Sequence, residues 1–455
     1  MEKKFSAHLI VLGFTGSIGS GCSSFANCLT DKFPGYFYCS LSKILREKAK
    51  ANDMGGSIEE LQSYGNKIRK ENKESVLVEM LIKELEANED FIKDVENNDI
   101  KGIVVDSIRN DGEVKTLRQL PNFYLFSIHA DKSVRCERTV GEKKRFRTKE
   151  DFDKADRRDE AENISYGQQV KKCNYLADII LNNNDNVSSR NLNESIFDKL
   201  RKYIFAIEEK IRGYKIHPTT NEALMTIAYA TSQSSVCLKR KVGAVIATIE
   251  ESPNPQRDPL YSVISSGFNH VPIGSIPCLN NVEYGEKCYR DHLQEQQAST
   301  IKYCPKCGRE IKVKFKHVCD DRIENEFTEY FRNCPKCKKE IDIPYVCEGC
   351  NSKVFSEYLL SGGKLMDMCR SLHAEENALM GISKNSDIVN GKLTLFTTTY
   401  PCNLCANKIV SAGIKKVVYS DPYTMEDARS ILEGASVSVE KFEGIKSIAF
   451  FKIFD

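Results

Sequence analysis

The residues with the clearest chemical potential lie in two short segments near the C-terminus. The first, LHAEENAL, contains His373 and Glu375, and the second, TTTYPCNLCANKIVSAGI, contains Cys402 and Cys405. One imidazole and two thiolates can hold zinc and leave its fourth tetrahedral position open, which is typical of a catalytic zinc site. Zinc lowers the pKa of water, and a nearby carboxylate that does not bind the metal can move protons. The pattern therefore predicts metal-assisted hydrolysis, with Glu375 as proton carrier and the other three residues as zinc ligands.

The alternative is that each half of this pattern is structural. His373 and Glu375 would then be ordinary residues of a helix surface, and Cys402 and Cys405 would form a structural knuckle. Either half alone would favour that interpretation. Together, in this order and with Pro401 before the first cysteine, they match the H-x-E and P-C-x-x-C signature of zinc-dependent nucleobase deaminases. We therefore predict a zinc-dependent hydrolytic deaminase.

Apart from insertions, residues 221–455 resemble the deoxycytidylate deaminase family. The blocks that carry the resemblance are SSVCLKRKVGAVI, SSGFNHVPIGSIPC, MCRSLHAEENAL and GIKKVVY. The resemblance implies that Asn269 contacts the sugar or base of a nucleotide, and that Phe268, His270 and Tyr400 line its pocket. The family typically has glycine after the asparagine, where this chain has His270. The alternative for Asn269 is a turn residue that bonds its own backbone.

A cysteine-rich insertion, at about residues 279–369, interrupts this region. It is too long for an ordinary loop and is expected to fold around its own metal. Two C-x-x-C pairs have the spacing of a closed structural zinc site, and a third pair can contribute to a further zinc site. The first two pairs are Cys334, Cys337, Cys347 and Cys350, and the third is Cys304 and Cys307. Such ribbons can bind nucleic acid or a partner, but the favoured role is to stabilise a segment that has little apolar core.

A glycine-rich segment, GFTGSIGSGCSS, lies between a predicted strand and a predicted helix, which is the context of a phosphate-binding loop. Gly16, Gly19, Gly21 and Ser23 fit the pattern G-x-x-x-x-G-K-[ST], whereas Cys22 stands in place of the lysine. Backbone amides and the helix N-terminus can still bind phosphates, with Ser23 on magnesium. Without the lysine, phosphoryl transfer loses a principal stabiliser. We predict binding of a nucleoside triphosphate with Mg²⁺, and no phosphate transfer.

Downstream residues agree with a nucleotide site. Asp106 ends the predicted strand GIVVDSI and is a candidate acid on the metal side, with Arg109 close by. The segment RCERTVGEKKRFRTKEDFDKADRRDE predicts a basic lid followed by an acidic helix. Over about 180 residues this part resembles nucleoside-monophosphate and dephospho-coenzyme-A kinases, which implies a P-loop, kinase-like fold. The alternative is a glycine-rich turn of structural use only.

The order of strand-like and helix-like segments predicts an α/β protein of two parts. Residues 1–208 are expected to form the kinase-like domain on a parallel sheet, and residues 209–220 a linker. Residues 221–455 are expected to form an α/β/α domain of the cytidine deaminase type that carries the insertion. A length of 455 residues suits two or three domains.

Composition limits the partners. Net charge is +2, from 66 basic against 64 acidic side chains. Binding of long nucleic acid usually needs a marked basic excess, so a small nucleotide fits better. No segment approaches the roughly 18 apolar residues of a membrane span. Cysteines clustered in C-x-x-C pairs, without a secretion signal, predict reduced thiols in a cytoplasmic protein.

The kinase-like part followed by the deaminase part resembles bacterial antiviral deaminases of deoxycytidine nucleotides. The resemblance implies deamination of dCTP, dCMP or both, depletion of that pool during phage infection, and control at the N-terminal part by a nucleotide, RNA or protein. A homo-oligomer is also expected. Two alternatives stay open: a polynucleotide deaminase that grips RNA or single-stranded DNA with its zinc ribbons, and a non-enzymatic nucleotide-sensing scaffold. Balanced charge and the absence of tryptophan for base stacking disfavour the first, and the intact deaminase motif disfavours the second.

Overall fold

The computed structural model describes most of the chain outside the cysteine-rich insertion. The described residues are 8–54, 56–142, 144–160, 164–184, 192–250, 259–282, 287–292, 315–319, 323–327, 369–383, 393–422 and 426–454. The six predicted zinc ligands of the insertion lie outside them: Cys304, Cys307, Cys334, Cys337, Cys347 and Cys350. Within these ranges every helix is too short or too polar to span a bilayer.

The N-terminal part is built on a parallel sheet. Its strands are β1 (Ile10–Thr15), β2 (Tyr36–Ser40), β3 (Gly102–Ile108), β4 (Phe123–His129) and β5 (Ile179–Asn182). Their order across the sheet is β2, β3, β1, β4, β5. Every residue of the central strand β1 is buried, as expected for a parallel sheet with both faces covered.

Helices cover both faces of this sheet. They are α1 (Cys22–Lys32), α2 (Leu41–Ala51), α3 (Ile58–Glu71), α4 (Val76–Ala87), α5 (Glu89–Glu96), α6 (Asp111–Leu117), α7 (Lys132–Thr139), α8 (Lys149–Glu160), α9 (Val170–Leu176) and α10 (Leu192–Ile211). Successive side chains of a strand point to opposite faces. Ile10, Leu12 and Phe14 of β1 therefore share one core with α1 and α10, whereas Val11 shares another with α2 and α4.

The C-terminal part contains a mixed sheet. The strands of this part of the chain are β6 (Gly243–Glu250), β7 (Leu260–Phe268), β8 (Phe315–Cys319), β9 (Ile323–Phe327), β10 (Leu393–Thr399), β11 (Lys416–Asp421), β12 (Ser438–Lys441) and β13 (Gly444–Ile445). The sheet has the order β12, β11, β10, β6, β7, with β10, β11 and β12 parallel and the other pairs antiparallel. Strands β8 and β9 form a separate hairpin within the insertion.

Helices also cover both faces of the mixed sheet. They are α11 (Thr220–Ser232), α12 (Ala374–Ser383), α13 (Asn403–Ser411), α14 (Glu426–Gly434) and α15 (Ser447–Phe454). Leu224 and Met225 of α11 pack against one face, and α12, α13 and α14 contribute Ala378, Ala406 and Ala428 to the core on the other. The prediction of a mixed α/β protein is confirmed.

The end of the chain returns to the first sheet. Strand β13 pairs antiparallel with β5. Ile445, Ala449 and Ile453 belong to the same apolar core as α1 and α10. The sequence predicted a division near residues 209–220, yet the last residues of the chain complete the N-terminal core. The reason is that α15 is a mostly apolar helix, which is stable only when packed against other apolar surface.

Candidate active site and glycine-rich loop

Three predicted metal ligands converge beyond the C-terminal end of β10. The sulfurs of Cys402 and Cys405 each lie 3.3 Å from Nδ1 of His373. The three ligand atoms lie within 4.8 Å of one another, and the described residues contain no other such group of three. Both cysteines are buried and His373 is half-buried, so the cluster is largely shielded from water.

The geometry of the cluster fits zinc. Zn–N of about 2.1 Å and Zn–S of about 2.3 Å at tetrahedral angles separate the nitrogen and sulfur by about 3.6 Å, close to the 3.3 Å found between His373 and each sulfur. A hydrogen bond from Cys405, with help from His373, lowers the pKa of Cys402 to about 4. The same hydrogen bond and burial raise the pKa of Cys405. The Cys402 thiol is therefore the more readily ionised of the two, and a bound dication would displace the protons of both ligands.

The carboxyl of Glu375 lies beside this cluster without belonging to it. Its Oε2 accepts a hydrogen bond from the Cys405 thiol at 3.6 Å, and the residue is only 4% exposed. Burial raises the pKa of Glu375 to about 7, against the opposing effect of the His373 charge. A carboxyl that titrates near neutrality can both accept and donate a proton at physiological pH.

Hydrogen bonds from three directions fix the start of α12. The N–H of His373 donates to the carboxylate of Glu376 at 3.3 Å, and Lys408 of α13 donates to the same carboxylate. Leu372, immediately before His373, pairs with His270 through backbone hydrogen bonds of 2.9 and 3.2 Å. The first metal ligand is therefore tied both to α13, which carries Cys405, and to the end of β7.

Glycine allows α12 to lie directly on β7. A Cβ atom at Gly267 would lie 2.4 Å from the backbone nitrogen of Ala378 and 2.5 Å from the backbone oxygen of Ala374. The side-chain amide of Asn377 donates to the carbonyl of Phe268 at 2.7 Å. This close approach holds the helix that carries Glu375 against the sheet.

The residues predicted to line a substrate pocket follow β7 and β10. The rings of Phe268 and His270 lie 5.0 Å apart. The amide of Asn269 accepts from the N–H of Val242 at 2.8 Å and donates to the carbonyl of Arg240 at 3.0 Å. These bonds run to the backbone of the segment before β6 and not to the backbone of Asn269 itself, so they are not those of a local turn residue. The contact of Asn269 with a nucleotide stays a prediction.

Tyr400 lies two residues before Cys402. Its ring packs edge-on against Tyr419 at 4.8 Å, and its N–H donates to the carbonyl of Asp421. Its hydroxyl is buried and has no hydrogen-bond partner in the part of the chain that the structure describes. A buried hydroxyl without a partner, two residues before a metal ligand, is suited to contact a substrate, and that role remains a prediction.

The glycine-rich loop connects β1 to α1. Gly19 and Gly21 have φ angles of 82° and 101°, in the left-handed region that favours glycine. A Cβ atom at Gly21 would lie 2.4 Å from the side-chain nitrogen of Asn183, and one at Gly16 would lie 2.5 Å from the carbonyl oxygen of Ile128. The predicted glycines thus permit a tight turn between close neighbours.

Ser23 and Asp106, both predicted on the magnesium side of this loop, are in contact. The Ser23 hydroxyl donates to Oδ2 of Asp106 at 2.7 Å, and the Tyr38 hydroxyl donates to the same oxygen at 3.1 Å. Asp106 is 1% exposed. Burial, reinforced by the charge of Asp106, raises the pKa of Cys22 to about 12, so this thiol is neutral at physiological pH.

A cavity of about 160 Å³ lies against the loop, and Arg109 and Arg145 line it. Arg109 forms an ion pair with Asp159, a fully buried carboxylate of α8. The sequence pointed to Arg109 but assigned no role to Arg145. The signal that could have identified Arg145 is its place in the basic run EKKRFR.

Two neighbouring asparagines at the end of β5 contact both parts of the chain. The side chain of Asn183 donates to the carbonyl of Ser20 in the glycine-rich loop at 2.7 Å. Asn182 donates its N–H to the Glu443 carboxylate at 2.8 Å and its amide to the carbonyl of Lys441 at 3.0 Å. No sequence pattern predicted these contacts, since residues as far apart as Asn182 and Glu443 share no local spacing.

The segment that contains Cys402 and Cys405 is similar to known proteins. Residues 334–421 match the model of the cytidine and deoxycytidylate deaminase zinc-binding region. The deoxycytidylate deaminase of Saccharomyces cerevisiae is 44% identical over 75 residues, which are 16% of this chain and 23% of the yeast protein. In this region the chain is similar to deoxycytidylate deaminases.

Longer matches to deoxycytidylate deaminases extend outside the zinc-binding region. The Schizosaccharomyces pombe enzyme is 24% identical over 268 residues, covering 59% of this chain and 54% of that protein. The enzyme of Enterobacteria phage T4 is 27% identical over 200 residues, covering 44% of this chain and 77% of the phage protein. The dCMP deaminase of cyanophage S-TIM5, solved with dCMP and dUMP, is 22% identical and covers 50% of this chain and 99% of that one, with a TM-score of 0.25. The chain spans about half the length, or less, of the two yeast relatives.

Proposed function

We propose that this protein removes the amino group of cytosine from deoxycytidine nucleotides by zinc-dependent hydrolysis. The observation that carries the proposal is the contact between Glu375 and the sulfur of Cys405, at the edge of a three-ligand cluster. The reaction requires a buried proton carrier beside a metal position that keeps one coordination site open. A zinc ion on His373, Cys402 and Cys405 would supply the Lewis acidity that brings the pKa of water near neutrality.

Glu375 moves the protons in this scheme. As a carboxylate it accepts a proton from water while the water oxygen bonds to C4 of the cytosine ring, and it passes that proton to N3. It then carries the remaining hydroxyl proton to the amino group, so that the C4–N bond breaks and ammonia leaves. The products are a uracil nucleotide and ammonia, and the carboxylate returns to its starting state. The pKa of about 7 suits a group that must hold and release protons in turn.

We propose dCMP, dCTP or both as the substrate. Support comes from the relatives, which are deoxycytidylate deaminases, one of them solved with dCMP and dUMP. Phe268, His270 and Tyr400 are proposed to line the base pocket, and Asn269 to contact the sugar or base. The near-balanced net charge of +2 also favours a single nucleotide over a polynucleotide.

Ammonia release from a panel of substrates tests this proposal. The purified full chain is incubated with dCMP, dCTP, CMP, CTP, single-stranded DNA and RNA, and products are separated by chromatography. We expect ammonia together with dUMP or dUTP. Activity on polynucleotides alone would support the alternative of a nucleic-acid deaminase. Absence of ammonia from every substrate, with zinc bound, would support the non-enzymatic scaffold.

A second proposal concerns the N-terminal part, which we propose binds a nucleoside triphosphate with magnesium and transfers no phosphate. The contact of Ser23 with Asp106 beside the glycine-rich loop favours it, because hydroxyl and carboxylate oxygens are ligands that magnesium prefers. The neutral thiol of Cys22 offers no charge to a moving phosphoryl group. Calorimetry with Mg²⁺ and ATP is expected to detect binding, and robust phosphate transfer to any nucleotide acceptor would contradict the proposal.

Nucleotide binding at the loop is proposed to control the deaminase. Asn183 bonds the loop and Asn182 bonds the segment that connects β12 to β13, so a change at the loop has a short route to the second sheet. The resemblance to bacterial antiviral deaminases supports depletion of deoxycytidine nucleotides during phage infection. Measuring these pools in infected and uninfected cells, with wild-type protein and with Glu375→Gln, tests the role.

A further inference from the structure

The glycine-rich loop has no cationic side chain of its own. Residues 16–23 contain no lysine or arginine, and Cys22 carries a neutral thiol where phosphate-binding loops usually have lysine. Backbone amides alone can hold a phosphate, but hydrogen bonds from an ionised donor are roughly twice as strong as neutral ones. A tightly held polyphosphate at this loop therefore calls for a cation from elsewhere in the fold.

Of the two arginines beside the loop, only one has uncommitted charge. Arg109 is paired with Asp159, whose other oxygen accepts the N–H of Ile18 in the loop at 3.0 Å. Arg145 lines the same cavity and takes part in none of the ion pairs found among the described residues. Burial and the nearby charges of Arg109 and Arg46 lower its pKa to about 10, so it stays cationic at physiological pH. Arg145 is therefore the cation that an anionic ligand in this cavity would meet.

The neighbour of Arg145 fixes it beside the loop. Phe146 is 6% exposed, and its ring packs edge-on against Phe152 of α8 at 5.7 Å. Both rings share one apolar cluster with Ile18, which lies in the middle of the loop. The backbone of Phe146 also donates to the carbonyl of Thr139 at 2.9 Å. Packing thus holds the arginine and the loop together.

A second cavity indicates what kind of anion would bind. It measures about 270 Å³. Ser23, Arg109 and Arg145 line both this cavity and the one against the loop, so the two cavities adjoin, and Asp106 lines the larger one. Part of its wall is apolar and includes Leu41, Leu45 and Leu61, whereas Arg46 and Arg69 also line the cavity. Beside this wall the buried amides of Gln62 and Gln168 bond each other at 3.3 Å. An apolar wall suits the face of a nucleobase and amides suit its polar edge, so a phosphate at the arginine end belongs to a nucleotide.

We propose that Arg145 replaces the missing loop lysine and binds the terminal phosphates of a nucleoside triphosphate seated on the glycine-rich loop. The inference rests on the proposed nucleotide binding of the N-terminal part and names the residue that makes it strong. It also explains how a loop with Cys22 keeps affinity: the charge comes from a separate segment. That segment approaches from the α7–α8 connection rather than from α1.

Calorimetry on the full chain tests whether Arg145 supplies the positive charge that Cys22 lacks. The probes are ATP, GTP and dTTP with Mg²⁺, because none of them contains the cytosine that the deaminase site is proposed to bind. Arg145→Ala is expected to weaken binding about tenfold or more, as loss of a charge-assisted hydrogen bond does. Adding Cys22→Lys to that variant should restore affinity to within about threefold of wild type, since the charge returns from the loop. Arg157→Ala is the matched control, because this exposed arginine of α8 donates to the carbonyl of Asp153 in its own helix.

The outcomes distinguish the role of Arg145 from the proposed nucleotide binding on which it rests. Failure of the wild type to bind any probe would refute nucleotide binding by the N-terminal part itself. Binding by the wild type with unchanged affinity in Arg145→Ala would overturn only the role of Arg145, as would a loss that Cys22→Lys does not reverse. Arg145→Lys keeps the charge and should keep most of the affinity. Equal thermal unfolding midpoints among the variants would show that the losses do not come from misfolding.

Discussion

His270 and Leu372 form an isolated antiparallel pair, joined by two backbone hydrogen bonds of 2.9 and 3.2 Å. His270 follows β7, and Leu372 immediately precedes the metal ligand His373. The ring nitrogen Nδ1 of His270 donates to the carbonyl of Val271 at 2.6 Å, which fixes the ring as well. This pair brings the two ends of the cysteine-rich insertion together, so the candidate active site forms from segments that the insertion separates in the sequence.

Replacing Glu375 with glutamine should abolish deamination and leave zinc content unchanged. The amide keeps the size of the side chain but cannot carry protons, so we expect the rate to fall by at least about 1,000-fold. Ammonia release from dCMP and dCTP measures the effect. Glu71→Gln is the control, since Glu71 is exposed and pairs with Lys67 within α3 of the N-terminal part. Substantial turnover by Glu375→Gln would remove the assignment of this residue as proton carrier.

Metal analysis should find at least two zinc ions per chain when the protein is purified without chelator. One belongs to the cluster of His373, Cys402 and Cys405 and the other to the four-cysteine set of the insertion. Cys402→Ala should lose one zinc ion and all activity, whereas Cys334→Ala should lose a different zinc ion. A wild-type content of one ion or fewer would show that the insertion does not hold metal as the sequence predicts.

The turn after β7 should depend on the amide of Asn269. Asn269→Ala removes the acceptor for the N–H of Val242 and the donor to the carbonyl of Arg240, and loss of such contacts costs about 1–3 kcal/mol. Urea unfolding of the full chain measures this change in the free energy of unfolding. Asn27→Ala, at an exposed position of α1, should leave stability nearly unchanged. Equal stability of the two variants would show that the turn does not require the amide.

The stability of the N-terminal part should fall in mild acid because of His129. This residue at the end of β4 is largely buried, and burial lowers its pKa from 6.5 to about 4. Between these values the unfolded chain binds more protons than the folded chain, so the free energy of unfolding decreases as pH falls below 6.5. The decrease attributable to His129 is about 1.6 kcal/mol from pH 6.5 to 5.

Urea unfolding of wild type and of His129→Gln at these two pH values isolates that contribution. Titrating groups that do not contact His129 affect both proteins alike, so the comparison cancels them. Asp131 is hydrogen-bonded to His129, but its pKa lies below 3.8 and thus outside this pH interval. The variant should lose less stability than the wild type on acidification. An equal loss in the two proteins would assign the pH dependence to another group.

Gly21→Ala should impair nucleotide binding and the control of the deaminase, while zinc content stays normal. The added Cβ would lie 2.4 Å from the side-chain nitrogen of Asn183, and Gly21 has a φ of 101°. Gly213→Ala is the matched control: Gly213 has a φ of 84° but open space around it, so it shares the backbone strain without the clash. Calorimetry with ATP and Mg²⁺, and ammonia release with and without ATP, measure both effects. A Gly21 variant regulated like wild type would contradict the proposed control.

The sequence alone determined the chemistry of the candidate active site and the α/β architecture. His373 and Glu375 stand two residues apart and Cys402 and Cys405 three apart, so helix geometry sets each pair of positions locally. The glycine-rich loop is local in the same sense, because glycines, a strand before them and a helix after them are all visible in one short segment.

The tertiary structure decided what lies beside each of these motifs. The contact of Asn182 with Glu443, the return of β13 and α15 to the first sheet, and the approach of Arg145 to the loop all join segments distant in the chain. Such contacts arise from the burial of apolar surfaces such as Phe146 against Ile18, and burial specifies a neighbour by shape rather than by sequence spacing. Residue types and local spacing therefore predicted the chemistry of each motif, and packing determined which other side chains lie beside it.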